Sequence, residues 1–320
     1  MEASTSTTQP TKLRRYLLAR HGETNFNKER RVQGTLDEPC VLTTDGSSQA
    51  TALGMYVARR QVGDAMDDDD DEDDNRNNNV DPTKNSVIAA PPITRTWCSP
   101  LTRCRQTYAA VSGCCSSLPE PTIRGNLHEI DFREWQGRLR SEIIDQHSEQ
   151  WNAFTKDPKQ LRLNEGFAPV LDMWERGLGN WNAIRSDAAA DGDGDGFKEA
   201  LNNQNSKVEE EEDTTDVIFI MTHGAIGQCM LLQSLGISID TYGKGRKYAF
   251  DNCECIEVEW MDGEECARRW RRVHSSLSSS SPTVETTTTR WQDGKASRKM
   301  ASGMGLQCGR YDDTKSEEVP

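Results

Sequence analysis

The stretch Tyr16-Leu17-Leu18-Ala19-Arg20-His21-Gly22-Glu23-Thr24 decides how the rest of the chain is read. Four consecutive residues suited to burial stop at a basic, polar turn. That pattern is a buried strand delivering charged groups to a loop. A second stretch repeats the design: Val217-Ile218-Phe219-Ile220-Met221-Thr222-His223-Gly224. Its continuous apolar run fits a strand covered on both faces. In parallel α/β sheets the carboxyl ends of strands line the ligand crevice. Two His-Gly pairs at two such ends, in a chain with five histidines, point to one shared site.

The intervening segments supply the other elements. Residues 47–61 read as a helix, opened by Thr43-Thr44-Asp45-Gly46 and carrying Ala50, Leu53, Val57 and Ala58 at helical spacing. Ile93-Thr94-Arg95-Thr96-Trp97 is β-rich, and Ser99-Pro100 opens a helix that runs through 107–111. A further strand is expected around Ile123, and a loop over 126–137. Helices are expected over 141–154, 170–184 and 225–235, and strands over 253–260 and 270–273. Strands alternating with helices imply one α/β domain over 13–274 with a mostly parallel sheet.

Charge is distributed unevenly. The 320 residues carry a net charge of −14, and only 34% are hydrophobic. Residues 64–81 and 187–216 each carry a net charge of −9, which leaves +4 on the remainder. Like charges at that density repel, so disordered acidic insertions are expected at about 64–90 and 187–215. Residues 1–12 and the Ser/Thr-rich 275–320 are expected to be disordered termini. The acidity argues against nucleic acid as a partner. No apolar run is long enough for a membrane span. The ten cysteines lack metal spacing and read as free thiols in a reducing compartment; a cytoplasmic location is the default expectation, with a plastid as the alternative.

Four motifs in order carry a resemblance. Arg20-His21-Gly22-Glu23-Thr24, with Asn27 following, resembles the signature of the histidine phosphatase superfamily, the phosphoglycerate mutase-like family. Ser99-Pro100-Leu101-Thr102-Arg103-Cys104-Arg105-Gln106-Thr107 resembles the second arginine motif and puts its arginine at Arg103. Leu127-His128-Glu129, with Trp135-Gln136-Gly137 after it, resembles the acidic motif. Thr222-His223-Gly224-Ala225 resembles the second histidine motif. One short motif is weak evidence, whereas four in family order are specific. The resemblance implies a three-layer sandwich, a central sheet flanked by helices. It also implies a phosphohistidine intermediate on His21, and no metal or cofactor.

The residue types fit that chemistry. A neutral imidazole attacks phosphorus well, and a covalent intermediate divides one hard displacement into two easier ones. Fixed cations must surround the phosphoryl group, and Arg20 and Arg103 offer planar paired donors that lysine lacks. His223 can donate a further hydrogen bond. Glu129 is the candidate proton donor and acceptor, with Asp131 and Glu134 as competitors in the same loop. The resemblance extends phosphate or substrate contacts to Asn27, Gln33 and Gly34. Gly22 and Gly224 allow close backbone approach, and Ala225 offers a backbone N–H at a helix start.

The expected activity is hydrolysis of a small phosphorylated metabolite. Phosphoglycerate mutase-type transfer is the first alternative. The Arg-His-Tyr-Gly stretch usual after the glutamate of such mutases is replaced by Ile130-Asp131-Phe132-Arg133, which favours a phosphatase. A catalytically inactive phosphate-binding or scaffold protein is the second alternative, opposed by the intact set Arg20, His21, Arg103 and His223. Asp191-Gly192-Asp193-Gly194-Asp195-Gly196 resembles a calcium loop but has Asn202 at the twelfth position, so it reads as a solvated linker. Trp151, Trp174 and Trp181 read as core residues, with the option that one walls the pocket. Oligomeric state is left open.

Overall fold

The structure is a computed structural model that describes residues 12–62, 90–190, 215–244, 247–274 and 290–297. Most of the expected acidic insertions and termini, and the calcium-loop-like segment, lie outside the described residues. One seven-stranded sheet organises the chain, in the order β3-β2-β4-β1-β5-β6-β7. Its strands are β1 (Leu13–Arg20), β2 (Ile93–Cys98), β3 (Thr122–Ile123), β4 (Asp216–Thr222), β5 (Cys255–Met261), β6 (Arg269–His274) and β7 (Gln292–Asp293). The pairings from β3 to β1 are parallel, and those from β1 to β7 are antiparallel. A parallel core with an antiparallel extension matches the expected fold class.

The side-chain period of two divides the core between the two faces of the sheet. On β4, Ile218 and Ile220 join one apolar cluster while Val217, Phe219 and Met221 join the other. Helices α6 (Pro169–Ala190) and α7 (Gly224–Ser234) cover the first face through Met173, Trp181, Ile226 and Met230. Helices α2 (Thr44–Val62) and α3 (Thr102–Cys114) cover the second through Leu53, Val57, Cys104 and Val111. Every residue of β4 is buried. At about 1.5–3 kcal/mol for each large apolar side chain, this strand is a principal anchor of the domain.

Three expectations need adjustment. The helix expected over 141–154 is two helices, α4 (Arg140–Gln146) and α5 (Ser148–Lys156). His147 breaks them with φ −133° and ψ 42°. Its ring is held by Arg138 Nη1 at 2.9 Å and lies 6.3 Å from the Trp135 ring. A short helix α1 (Asn25–Glu29) was not expected; Thr24 and Asn27 cap each other at its start. Within the expected disordered tail, residues 290–297 are described and ordered onto the sheet edge. β7 pairs with β6 there, and Trp291 stacks under Arg269 and Arg271 at 4.2 and 4.4 Å.

The alternating strand β5 is buried along nearly all its length, including Glu257 at 0% exposure. Arg60, Arg271 and Arg15 surround that carboxylate at 3.2, 2.9 and 3.8 Å. Burial alone would raise its pKa, but the three guanidiniums outweigh it and hold Glu257 below the ordinary carboxylate range. The nine cysteines among the described residues are all free. No helix among the described residues is long and apolar enough to cross a membrane.

Candidate active site

The β1–β4 register builds the centre of the site. Arg20 pairs with Thr222, so the residues one step beyond, His21 and His223, leave neighbouring strand ends together. The His21 backbone N–H donates to the Thr222 carbonyl at 3.1 Å, and the two imidazole centroids are 5.2 Å apart. His21 Nδ1 lies 2.7 Å from the Gly22 carbonyl. A carbonyl only accepts, so Nδ1 carries the proton and Nε2 keeps its lone pair. Burial, then Arg103 and Arg20, push the His21 pKa well below 6.5, so the ring is neutral.

His223 has the opposite tautomer. Arg103 Nε donates to its Nδ1 at 3.2 Å, which leaves Nε2–H to donate to Ser99 Oγ at 2.7 Å. Burial and the neighbouring Arg103 lower its pKa well below 6.5. Arg103 is completely buried and also donates to the carbonyls of Leu36 and Gly34, both at 2.7 Å. Arg20 donates from Nη1 to the Phe250 carbonyl at 2.7 Å, while its Nε is buried with no hydrogen-bond partner. A buried guanidinium N–H without an acceptor is costly, and an anion in the adjoining cavity would supply one.

That cavity measures about 470 Å³ and is lined at its floor by Arg20, His21, Asn27, Arg103 and Glu129. Glu129 is seated at the start of α7. Its Oε2 accepts from Ala225 N–H at 3.1 Å, and its Oε1 accepts from Ile226 and Ile130 N–H at 3.1 and 3.0 Å. Asp131 instead caps and pairs with Arg133, and Glu134 accepts from Asn164 N–H. Neither competitor lines the cavity, so the loop presents one carboxylate to it.

The remaining expected residues divide. Gln33, Gly34, Gly224 and Ala225 line the cavity. The Ala225 N–H is spent on Glu129 rather than left open, because the Glu129 carboxyl group already occupies that helix start. Gly22 does not line the cavity; its N–H donates to Thr107 Oγ1 at 3.0 Å. The close approach it permits is to the backbone of Gly46, whose carbonyl oxygen would lie 2.4 Å from an added Cβ. Gly34 has φ 54°, a conformation that suits glycine.

Several positioning residues escaped the sequence reading. Ser99 and Thr107 lie inside the arginine motif, but their contacts with His223 and Gly22 reach across 124 and 85 positions. Asn252 donates to the His21 carbonyl at 3.1 Å and to Asn27 Oδ1 at 3.3 Å. Arg176 on α6 grips the carbonyls of Asn126, His128 and Glu129 at 3.0, 2.8 and 3.2 Å. Nothing in the local pattern around Asn252 or Arg176 signalled these long-range contacts. Of the three tryptophans, Trp181 is core, Trp174 packs against that core, and Trp151 walls the cavity.

A sequence profile of the histidine phosphatase superfamily (branch 1) matches residues 16–66 and 85–194. The chain belongs to the histidine phosphatase superfamily. The profile match ends before His223, and the sheet register supplies the link to that second histidine.

A probable 2-carboxy-D-arabinitol-1-phosphatase of Arabidopsis thaliana is 24% identical over 249 residues, covering 78% of this chain and 38% of that protein. The 2-carboxy-D-arabinitol-1-phosphatase of Triticum aestivum is 23% identical, covering 72% of this chain and 34% of that protein. The chain therefore matches little more than a third of these curated relatives. Among solved structures, Bacillus stearothermophilus YhfR aligns with a TM-score of 0.53 at 20% identity, covering 79% of this chain and 93% of that one. A mycobacterial glucosyl-3-phosphoglycerate phosphatase aligns with a TM-score of 0.51 at 17% identity, covering 79% and 99%. These likenesses establish the shared fold, as the phosphoglycerate mutase-like expectation required.

Proposed function

We propose that this histidine phosphatase superfamily member hydrolyses a small phosphorylated metabolite through a phosphohistidine on His21. The observation that carries the reading is the buried, unpartnered Nε of Arg20 beside a neutral His21, in a cavity that also holds Glu129. The substrate phosphoryl group occupies the floor, where Arg20 and Arg103 offset its charge and Asn27 adds a neutral donor. His21 Nε2 attacks phosphorus, and the bond to the ester oxygen breaks. Glu129 gives the released alkoxide its proton. It then takes a proton from water, whose oxygen attacks the phosphohistidine. Inorganic phosphate and free His21 Nε2 result. His223 does not line the cavity; its Nε2–H is spent on Ser99 and its Nδ1 accepts from Arg103 Nε, so it orients Arg103 rather than donating to the phosphoryl group.

The chemistry calls for no metal, because guanidiniums already supply the positive charge. Among the described residues, no cluster of three or more histidine, cysteine, aspartate or glutamate side chains could hold an ion. The two plant relatives are named for a phosphatase activity, which supports hydrolysis over transfer. The test is turnover of p-nitrophenyl phosphate in excess EDTA, comparing the wild type with His21→Ala. Loss of turnover in His21→Ala, together with an acid-labile phosphoryl label on the wild type, is the expected result. Equal turnover in both proteins would remove His21 as nucleophile. Phosphoglycerate isomerisation without net hydrolysis would move the reading to the mutase side.

A further inference from the structure

The cavity has two chemically different halves. The catalytic charges line one part, whereas Phe132, Trp135, Trp151 and Phe154 line another. These four rings form one cluster, with centroid separations of 5.6 to 6.4 Å among the pairs that touch. Trp135 is fully buried and packs with Ile143, Leu161 and Leu163 in a small core of its own. Phe132, Trp151 and Phe154 are only partly buried and line the cavity; all three pack on that small core, and Phe132 and Phe154 also pack on the main one. Helix α5, which carries Trp151 and Phe154, has no fully buried residue at all. The break at His147 gives α5 its own direction, away from the path of α4. The wall is therefore apolar surface left facing a charged site, which is an unfavourable arrangement without a ligand.

Beyond the catalytic groups, the cavity is also lined by the polar side chains of Arg31, Gln33, Arg140, Gln228 and Tyr242, and the Trp135 indole N–H has no partner. Arg31 is already bonded to Glu29 and to the Gly137 carbonyl. Arg140 is exposed, and Gln228 comes from α7. A highly hydroxylated acyclic leaving group would find ring faces where it needs hydrogen-bond partners. A planar or ring-bearing leaving group would find offset and edge-to-face partners.

We infer that this wall is a leaving-group subsite, and that the preferred substrates are phosphomonoesters whose released alcohol carries an aromatic ring. The inference rests on the hydrolase reading for turnover, but the binding preference does not depend on it. The reaction remains hydrolysis: the phosphorus–ester oxygen bond breaks, water supplies the new oxygen, and the ring-bearing alcohol departs.

The test separates binding from turnover. Calorimetry on the full chain compares benzylphosphonate with methylphosphonate, neither of which can be hydrolysed at a phosphorus–carbon bond. The benzyl compound is expected to bind about tenfold tighter, as one or two aromatic contacts provide. Equal affinities would overturn the subsite. Kinetics then compare benzyl phosphate with glycerol 3-phosphate and 2-phosphoglycolate, all esters of alkyl alcohols, so intrinsic leaving ability does not decide the outcome. Benzyl phosphate is expected to have the highest kcat/KM, and in Trp151→Ala its advantage should fall toward one. A preference for 2-phosphoglycolate overturns the inference. A benzylphosphonate preference with no turnover of any ester supports the subsite and counts against the hydrolase reading alone.

Discussion

Arg20 stands opposite Thr222 in the parallel β1–β4 register, and this pairing is what brings His21 and His223 to 5.2 Å. A slip of one residue would turn one of the two strands over and separate the rings. With the register fixed, the Gly22 carbonyl holds His21 as the Nδ1–H tautomer, at 2.7 Å. Nitrogen-15 NMR of histidine-labelled protein should therefore show His21 Nε2 unprotonated from pH 7.5 down to pH 5.5. The lowered pKa, caused first by burial and then by Arg103 and Arg20, sets that expectation. A titration midpoint near the ordinary 6.5 would contradict it.

The same burial has a stability consequence. His21 and His223 are held neutral well below 6.5, and burial next to Arg59 lowers His274 to about 4. The unfolded chain takes up protons on these rings near pH 6.5, and the folded chain does not. Stability is thus fully present above pH 6.5 and is lost as pH falls from there toward the folded pKa values. Each ring contributes a slope approaching about 1.4 kcal/mol per pH unit in that window. Urea unfolding from pH 7 to 5 should show a steady loss, and the slope should lessen in His274→Phe. A flat profile over that range would show that the rings bind protons equally in both states.

Gly22→Ala is expected to damage folding and the site together. Its Cβ would meet the Gly46 carbonyl oxygen at 2.4 Å and the carbonyl carbon at 3.0 Å. Both are backbone atoms at the start of α2, so no rotamer change relieves the clash. The strand end must move away from the helix, at a cost of about 1–3 kcal/mol. That shift also carries His21. A lower Tm with lower turnover is expected; an unchanged Tm would mean that the β1–α2 contact is looser than these distances require.

Much of this was readable because it is local. The apolar runs before His21 and His223 announce buried strands, and the arginine motif announces its helix. The strand ends then follow from parallel topology. What escaped was of two kinds. Contacts such as Asn252 with Asn27 join residues 225 positions apart, and no local period records them. The break at His147 has no proline or glycine to signal it. It is set by the packing of its ring with Trp135 and its bond with Arg138. The single helix expected over 141–154 therefore missed the break that separates α4 from α5.

Arg176 is the residue that positions Glu129 from behind. Its guanidinium donates to the carbonyls of Asn126, His128 and Glu129 and also pairs with Asp172 at 3.3 Å. Glu129 itself reaches over to the start of α7. Without Arg176 the loop keeps its covalent path but loses the clamp that fixes the carboxylate height. A displacement of about 1 Å at a proton-transfer group can cost about a hundredfold in rate. Arg176→Ala should therefore lower kcat about ten- to a hundredfold with a smaller change in KM. Arg176→Lys should recover little, because a single ammonium cannot serve three carbonyls in one plane. A fall in Tm with kcat unchanged would assign Arg176 to stability alone. A fall in kcat at unchanged Tm and with little change in KM would assign it to the positioning of Glu129.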